Sequence, residues 1–417
     1  MDIFGIIAIL LTLAAIFSYI NYRFLKLPTT IGLMVIALVM SLGVIASSAF
    51  GLNFEAHAEQ ILSSIDFNKT LMQGMLSFLL FAGALHVDLD ALAKQKWVVG
   101  CSATVGVVLS ALIIGGIMHL VLGWIGIQLP LIYCLIFGAL ISPTDPIAVL
   151  GILKQAKAPK SLEMKIAGES LFNDGMGVVV FIILFELAAG SHEFDWGHVG
   201  ALLAKEAIGG IVLGLLLGWV TYRMLASVEN YQVEVLLTLA LVTGGYALAI
   251  ALHVSGPLMI VAAGLLIGNH GRKYAMSETS REHIDTFWEL VDEILNAVLF
   301  VLIGLEILVL SLEQKYLLAG VLAIPVVLLG RFLSIGLPVS ILRLRQEFTP
   351  HAVKIMTWGG LRGGVSVALA LSLPASPERD LLLTATYVVV VFSIIVQGLT
   401  LKPFLKRAIG STIHTDN

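Results

Sequence analysis

The sequence has few charged residues for its length. Of its 417 residues only 12% are Asp, Glu, Lys or Arg, about half the share in an ordinary soluble domain, whereas 58% are hydrophobic. The mean hydropathy is +0.98. One soluble core cannot bury that many apolar side chains, so the composition predicts a protein whose solvent is membrane lipid.

Cysteine and clusters of basic residues are also scarce. The two cysteines, Cys101 and Cys134, fall in apolar runs without a Cys or His at metal-binding spacing, so neither a disulfide framework nor a zinc site is indicated. No basic cluster suggests a nucleic-acid partner. The first apolar stretch lacks a basic start and a cleavage site, and we interpret it as a retained helix rather than a signal peptide.

Long apolar runs are abundant. A membrane-spanning helix needs about 20 apolar residues, and thirteen such runs are centred near residues 12, 40, 78, 110, 142, 176, 212, 242, 262, 298, 330, 363 and 392. With thirteen spans, most of the 24 Lys and Arg residues fall in alternate loops and in the C-terminal segment. Because such residues are retained in the cytoplasm, we predict an all-α polytopic protein with its N-terminus outside and its C-terminus inside.

Two spans are interrupted by their own residues. The fifth contains LISPTDPIAV, in which Pro143 and Pro146 each remove a backbone donor. The twelfth contains WGGLRGGVSV, in which glycines such as Gly360 and Gly363 ease departure from helical geometry. An offset of seven spans makes the two run in opposite directions, as in transporters with inverted repeats and a central binding site. Pro and Gly are also common in membrane helices generally, which leaves an incidental origin open.

Five charged side chains fall well inside the spans: Asp145, Glu169, Asp174, Arg331 and Arg362. Each costs on the order of 2.5–3.5 kcal/mol at a helix centre and therefore requires a partner or a function. In the sixth span, which contains GESLFNDG, Glu169 and Asn173 are four residues apart. Ser170 and Asp174 have the same spacing, so these side chains share one sector of the helix. A purely structural salt bridge is the alternative for Glu169 with Arg331.

The motifs SPTDP and ESLFND resemble those of the monovalent cation/proton antiporters. The most similar branch is the NhaP-type bacterial sodium/proton exchangers, which are related to animal sodium/hydrogen exchangers. The segments VSGPLMIVAAGLLIGN, DEILNAVLFVLIGLE and GGLRGG follow in the order of the family, over nearly the whole chain. The resemblance implies a thirteen-helix homodimer in the bacterial inner membrane that exchanges sodium, or lithium, for protons and uses no cofactor.

The resemblance also implies a division of labour along the chain. The implied parts are dimer-scaffold helices in residues 1–90 and 231–312, core helices in 91–190 and 313–407, a linking helix in 191–230 and a short cytoplasmic tail in 408–417. Asp174 is implied to hold either the cation or the proton. The other implied roles are a cation site completed by Thr144, Asp145 and Ser170, a neutral partner in Asn173, and a buried ion pair of Glu169 with Arg331.

Two features qualify this expectation. Some members of the family carry a Glu on the third span, whereas this chain has Ala82, so the ion site is expected to have one oxygen ligand fewer. The acidic residues Asp292, Glu293 and Glu306 on the tenth span have no assigned role.

The residue at position 173 predicts the ratio of the exchanged ions. Asn173 cannot titrate, so within ESLFND only Asp174 is expected to change its proton occupancy. We therefore predict that one proton is exchanged for one cation.

Three other functions remain open from the sequence. Potassium could replace sodium on the same scaffold. A passive cation channel also tolerates broken helices, although selectivity filters usually need a symmetric ring of carbonyls. An intramembrane hydrolase could use Asp145 and Asp174 as a dyad, although neither residue has an accompanying partner motif.

Overall fold

The structure, a computed structural model, describes residues 3–48, 74–155, 158–190, 196–310, 313–343 and 351–413. The helices are, in chain order, α1 (Ile3–Ile20), α2 (Thr29–Ser48), α3 (Leu76–Leu85), α4 (Leu89–Lys94), α5 (Lys96–Ala103), α6 (Val105–Trp124), α7 (Leu131–Leu140), α8 (Ile147–Gln155), α9 (Lys160–Ala188), α10 (Trp196–Leu225), α11 (Tyr231–Ala251), α12 (Gly256–Leu266), α13 (Glu278–Leu305), α14 (Gln314–Leu342), α15 (Ala352–Trp358), α16 (Gly364–Leu371), α17 (Pro377–Phe392) and α18 (Gly398–Ile413). Five-residue π-helical turns follow α1, α12 and α17.

These helices lie at all thirteen predicted positions, and the part of the chain described contains no strand. Eight helical runs within it are long and apolar enough to cross a membrane, and shorter apolar helices accompany them. The predicted all-α polytopic fold is therefore confirmed. The predicted tail begins inside α18, and residues 414–417 lie outside the described residues.

Polar residues at the helix ends determine where several spans begin. The Asn230 side chain accepts hydrogen bonds from the amides of Gln232 and Val233 and so caps α11. Ser255 and Ser376 cap α12 and α17, which both have a proline at the start. Proline suits this position because its missing N–H has no intrahelical acceptor there.

Both predicted interruptions are present. The fifth span is divided into α7 and α8 by residues 141–146, and the twelfth into α15 and α16 by residues 359–363. The two breaks touch, because the backbone N–H of Asp145 donates to the carbonyl oxygen of Leu361 at 2.8 Å. The interrupted spans therefore cross at their breaks.

The helices pack in two groups. In one group α5, α6, α7 and α9 pack with one another and with α14, α16 and α17, and in the other α1, α2 and α3 pack with α11, α12 and α13. Helix α10 packs on α11 and α12. The two groups meet where α9 contacts α12 and α3, and where α13 contacts α16. The roles of core and dimer scaffold for these groups stay a prediction.

Candidate ion-binding site

The carbonyl groups released at the break of the fifth span are bound by an arginine of the twelfth. Arg362 Nη1 donates to the carbonyl oxygens of Ser142 at 2.6 Å and Pro143 at 3.0 Å. These carbonyls follow the C-terminal end of α7, where the helix dipole is negative, so the guanidinium offsets it. The Arg362 side chain is only 2% exposed, which makes this charge part of the interior.

The break of the twelfth span is satisfied in turn by the thirteenth. The backbone N–H of Arg362 donates to Ser393 Oγ at 2.9 Å, and Gln397 Nε2 donates to the carbonyl oxygen of Trp358 at 2.9 Å. Ser393 and Gln397 begin and end the π-helical turn between α17 and α18. Such turns are uncommon and are frequent at functional sites.

A buried polar network joins α9 to the break of the fifth span. Asn173 Nδ2 donates to Thr144 Oγ1 at 2.8 Å, and the Thr144 N–H donates to Asn173 Oδ1 at 3.3 Å. Thr144 Oγ1 also lies 2.9 Å from Ser170 Oγ. Gly177 permits this approach, since a Cβ atom there would lie 2.5 Å from Pro143 Cγ.

The glycines of the twelfth span also allow close contacts. A Cβ atom on Gly363 would lie 3.0 Å from Asp145 Oδ2, and one on Gly360 would lie 2.8 Å from Arg331 Nε. The carboxylate of Asp145 therefore lies at the N-terminal end of α16, where the helix dipole is positive. Pro146 directly precedes α8, and its carbonyl accepts the first hydrogen bond of the helix, from the Leu150 N–H at 2.7 Å.

Glu169 and Arg331 form an ion pair between α9 and α14. Arg331 Nη1 lies 2.5 Å from Glu169 Oε1, and the two side chains are 8% and 1% exposed. Water cannot screen charges at this depth, so each is compensated mainly by the other.

Asp174 faces a cavity of about 490 Å³ between the two helix groups. Its carboxylate is buried and lies close enough to Asp145, Arg362 and the Thr144 N–H to interact with them electrostatically. The polar lining of the cavity comprises Thr144, Asp145, Asp174, Glu163, Glu289, Asp292, Asn296 and His86. Carboxylate, hydroxyl and amide oxygens of this kind suit a hard cation.

Ala82 lies on the wall of the same cavity. Its side chain is 2% exposed, and its carbonyl oxygen is 2.8 Å from His86 Nδ1. The departure from the family pattern therefore falls at the candidate site, where a methyl group stands in place of a carboxylate.

Four residues around the site carry no prediction from the sequence: Asp292, Asn296, Ser393 and Gln397. The spacing of four between Asp292 and Asn296 on an apolar span is the one signal available for that pair. Ser393 and Gln397 give no signal, because polar side chains in a span commonly bond to their own helix.

The comparisons with known proteins agree with this architecture. The family model described as sodium/hydrogen exchanger, transmembrane, matches residues 9–407. The Na(+)/H(+) antiporter NhaP of Pseudomonas aeruginosa is 50% identical over 407 residues, which cover 96% of each chain. The Na(+)/H(+) antiporter NhaH of Halobacillus dabanensis is 37% identical over 97% of this chain and 98% of its own. The solved structure of the sodium proton antiporter MjNhaP1 from Methanocaldococcus jannaschii at pH 8 covers 98% of both chains with a TM-score of 0.76 and 20% identity, and so shares the fold. The chain belongs to the sodium/hydrogen exchanger family.

Proposed function

We propose that the protein exchanges one Na⁺ for one H⁺ across the membrane, with both ions competing for Asp174. One observation carries the proposal: a buried carboxylate faces a cavity at the point where the two interrupted spans cross. The antiporter names of the similar proteins support the same reaction. The ions are substrates, and members of this family use no cofactor.

The candidate ligands for sodium are oxygens of two adjacent spans. Asp174 and Asp145 supply negative charge, and the hydroxyls of Thr144 and Ser170 keep lone pairs beyond those used between them. The side-chain amide of Asn173 donates to the Thr144 hydroxyl and accepts from the Thr144 N–H, and these two bonds position this part of the site. Sodium prefers such hard oxygen ligands.

Competition follows if one carboxylate holds one ion at a time. Each ion then weakens the apparent affinity for the other by mass action. The apparent KM for sodium rises about tenfold per pH unit below the pKa of that carboxylate. The rate falls again at high pH, since too few protons remain for the return step.

The charge balance of the site favours one-for-one exchange. Asn173 cannot titrate, and the charges of Glu169 and Arg331 cancel across their ion pair. We assume that Asp145 stays ionised beside the N-terminal end of α16, so that only Asp174 changes its proton occupancy. The site then carries the same charge whether it moves with a proton or with sodium.

Access to the site alternates between the two sides in this proposal. The cavity is lined near the start of α9 by Glu163 and directly after the end of α3 by His86. The distribution of Lys and Arg assigns these helix ends to the cytoplasm, with the N-terminus outside. The described conformation is therefore inward-facing, and the helix group that bears Asp174 moves against the other, which forms the dimer scaffold.

The test is replacement of the proposed ion-binding carboxylate. Asp174→Asn is expected to abolish exchange and to leave the dimer folded, because the neutral amide cannot exchange a proton at working pH and lacks the negative charge that holds the cation. Dequenching of a pH dye in everted vesicles measures exchange on addition of Na⁺, Li⁺ or K⁺ chloride, and size-exclusion chromatography checks the fold and the oligomeric state. A response to potassium in place of sodium would assign the same site to K⁺/H⁺ exchange. Normal exchange by Asp174→Asn would refute the assignment.

A further inference from the structure

Two cavities meet at one face of α13. Besides the cavity beside Asp174, a cleft of about 1130 Å³ lies between α1, α2, α8, α13 and α18. Gly151, Asp292 and Asn296 line both. Asp292 and Asn296 therefore lie at the junction of the cleft and the cavity of Asp174. An ion that enters the cavity from the cleft passes these two residues.

Asn296 offers an oxygen that has no donor. Its side chain is 4% exposed, and its Oδ1 atom lacks a hydrogen-bond partner among the described residues. The amide orientation is set by Nδ2, which donates to the backbone oxygen of Asp292 at 2.8 Å. A flipped amide would place two oxygens together, so the unpartnered atom is the acceptor. Buried acceptors are normally satisfied, which indicates that a cation or a water molecule belongs there.

The geometry points to a second cation subsite, formed by Asn296 Oδ1 and the Asp292 carboxylate, which holds a hydrated monovalent cation beside the site of Asp174. The two residues are four apart on α13 and so face the same direction. One carboxylate and one amide oxygen leave most ligands to water, which suits a weakly bound monovalent ion better than a divalent one. The inference rests on the proposed exchange at Asp174.

The position of the subsite defines its role. Helix α13 packs in the group opposite to the one that bears Asp174, and contacts that group through α16. An ion held on α13 is therefore next to the mobile site without moving with it. Such a subsite raises the local cation concentration at Asp174, so its loss increases the apparent KM for sodium and leaves kcat unchanged.

Binding without transport is the first test. Excess ²³Na NMR linewidth is measured in nanodiscs for Asp174→Asn, which lacks the central carboxylate, and for Asp174→Asn with Asn296→Ala. Broadening is expected to persist in the first variant and to fall in the second. Equal linewidths in the two would overturn the subsite.

A matched control separates a site from general negative charge. Glu293 is exposed, lies next to Asp292 and lines the cleft but not the cavity beside Asp174. Adding Glu293→Gln to Asp174→Asn is expected to preserve the broadening. A decrease as large as that caused by Asn296→Ala would show that the signal comes from diffuse charge and would refute the subsite.

Transport kinetics test the role in the otherwise native protein. Asn296→Ala is expected to raise the apparent KM for sodium about three- to tenfold, which is the effect of losing one oxygen ligand, with kcat unchanged. Asp292→Asn provides a second variant of nearly identical shape if Asn296→Ala fails to fold, with the same expectation. An unchanged KM in a folded variant would overturn the proposal. Persistent exchange by Asp174→Asn would instead refute the proposed function, so the two failures are distinguishable.

Discussion

Glu169 and Asp174 are five residues apart on α9 and have different surroundings. Glu169 is 2.5 Å from a guanidinium nitrogen of Arg331, so its charge is already compensated within the protein. Among the described residues, Asp174 has no such ion pair and lines a cavity instead. This contrast supports the proposal that Glu169 holds the helices together and that Asp174 takes part in exchange.

Removal of either partner of the ion pair is expected to destabilise the protein. Glu169→Gln leaves the buried charge of Arg331 uncompensated, and Arg331→Met leaves that of Glu169 uncompensated. Breaking a buried pair in this way lowers the free energy of unfolding by about 3–5 kcal/mol. Thermal unfolding in detergent is the measurement, with Arg223→Ala, at an exposed arginine of α10, as the control. Melting of both single variants at the parent temperature would show that the pair contributes nothing.

Ala82→Glu is expected to strengthen sodium binding. The side chain at this position enters the cavity wall beside Asp174, so a carboxylate there adds negative charge and a hard oxygen ligand. The apparent KM for sodium should fall at alkaline pH, where the new group is ionised. Ala82→Gln, with the same size and no charge, is the control, and an equal effect of both changes would exclude the electrostatic explanation.

At the scale of elements, the interrupted spans are stabilised by their neighbours rather than by themselves. The backbone groups freed at the two breaks bond to Arg362, Asn173, Ser393 and Gln397, and to each other. Non-helical backbone at membrane depth is tolerated only when it is buried in protein or lines a cavity, and both conditions are met here.

Gly363→Ala tests how tightly the breaks fit together. The added Cβ atom would lie 2.9 Å from Asp145 Cβ, so α16 or the fifth span must shift, at a cost of about 1–3 kcal/mol. We expect a lower melting temperature and slower exchange in vesicles. Gly116→Ala is the control, because no atom lies within 4 Å of a Cβ atom at that position of α6. Equal behaviour of the two variants would show that the crossing is loosely packed.

The spans and both breaks could be predicted from the sequence because lipid requires long apolar helices and because Pro143 and Pro146 cannot continue one. Asp145, Glu169 and Asp174 could be found by their charge in an apolar setting. The neutral residues of the site, Thr144, Ser170 and Asn173, could be assigned a role only through the resemblance to the family. The cavity-facing side of Asn296 could not, since its spacing of four from Asp292 indicates a shared face of α13 but not which space that face contacts. The π-helical turns were also not predicted from the sequence.

At the scale of the whole molecule, the described helices form two groups that meet along few elements. The contacts between them involve mainly α9, α12, α3, α13 and α16, and the cavity of Asp174 lies in this contact region. A small relative shift of the groups therefore changes the surroundings of the site without repacking either group.

Voltage provides a test of the charge balance. One net charge moved through 100 mV is worth about 2.3 kcal/mol, and one-for-one exchange forgoes that driving force. In proteoliposomes with the potential set by potassium and valinomycin, the steady-state ion ratio is expected to be the same at every imposed voltage. A ratio that shifts with voltage would refute one-for-one exchange and return Asp145 to the list of candidate proton carriers.

The hydrogen bonds from Arg362 to the break of the fifth span have a consequence for biosynthesis. The bond to Ser142 joins residues 220 positions apart in the chain. At about 5–20 residues per second, a ribosome needs roughly 10–45 s to make that stretch. During this interval the carbonyls of Ser142 and Pro143 must find other partners. The break between α7 and α8 therefore reaches its final structure only after the twelfth span has been inserted.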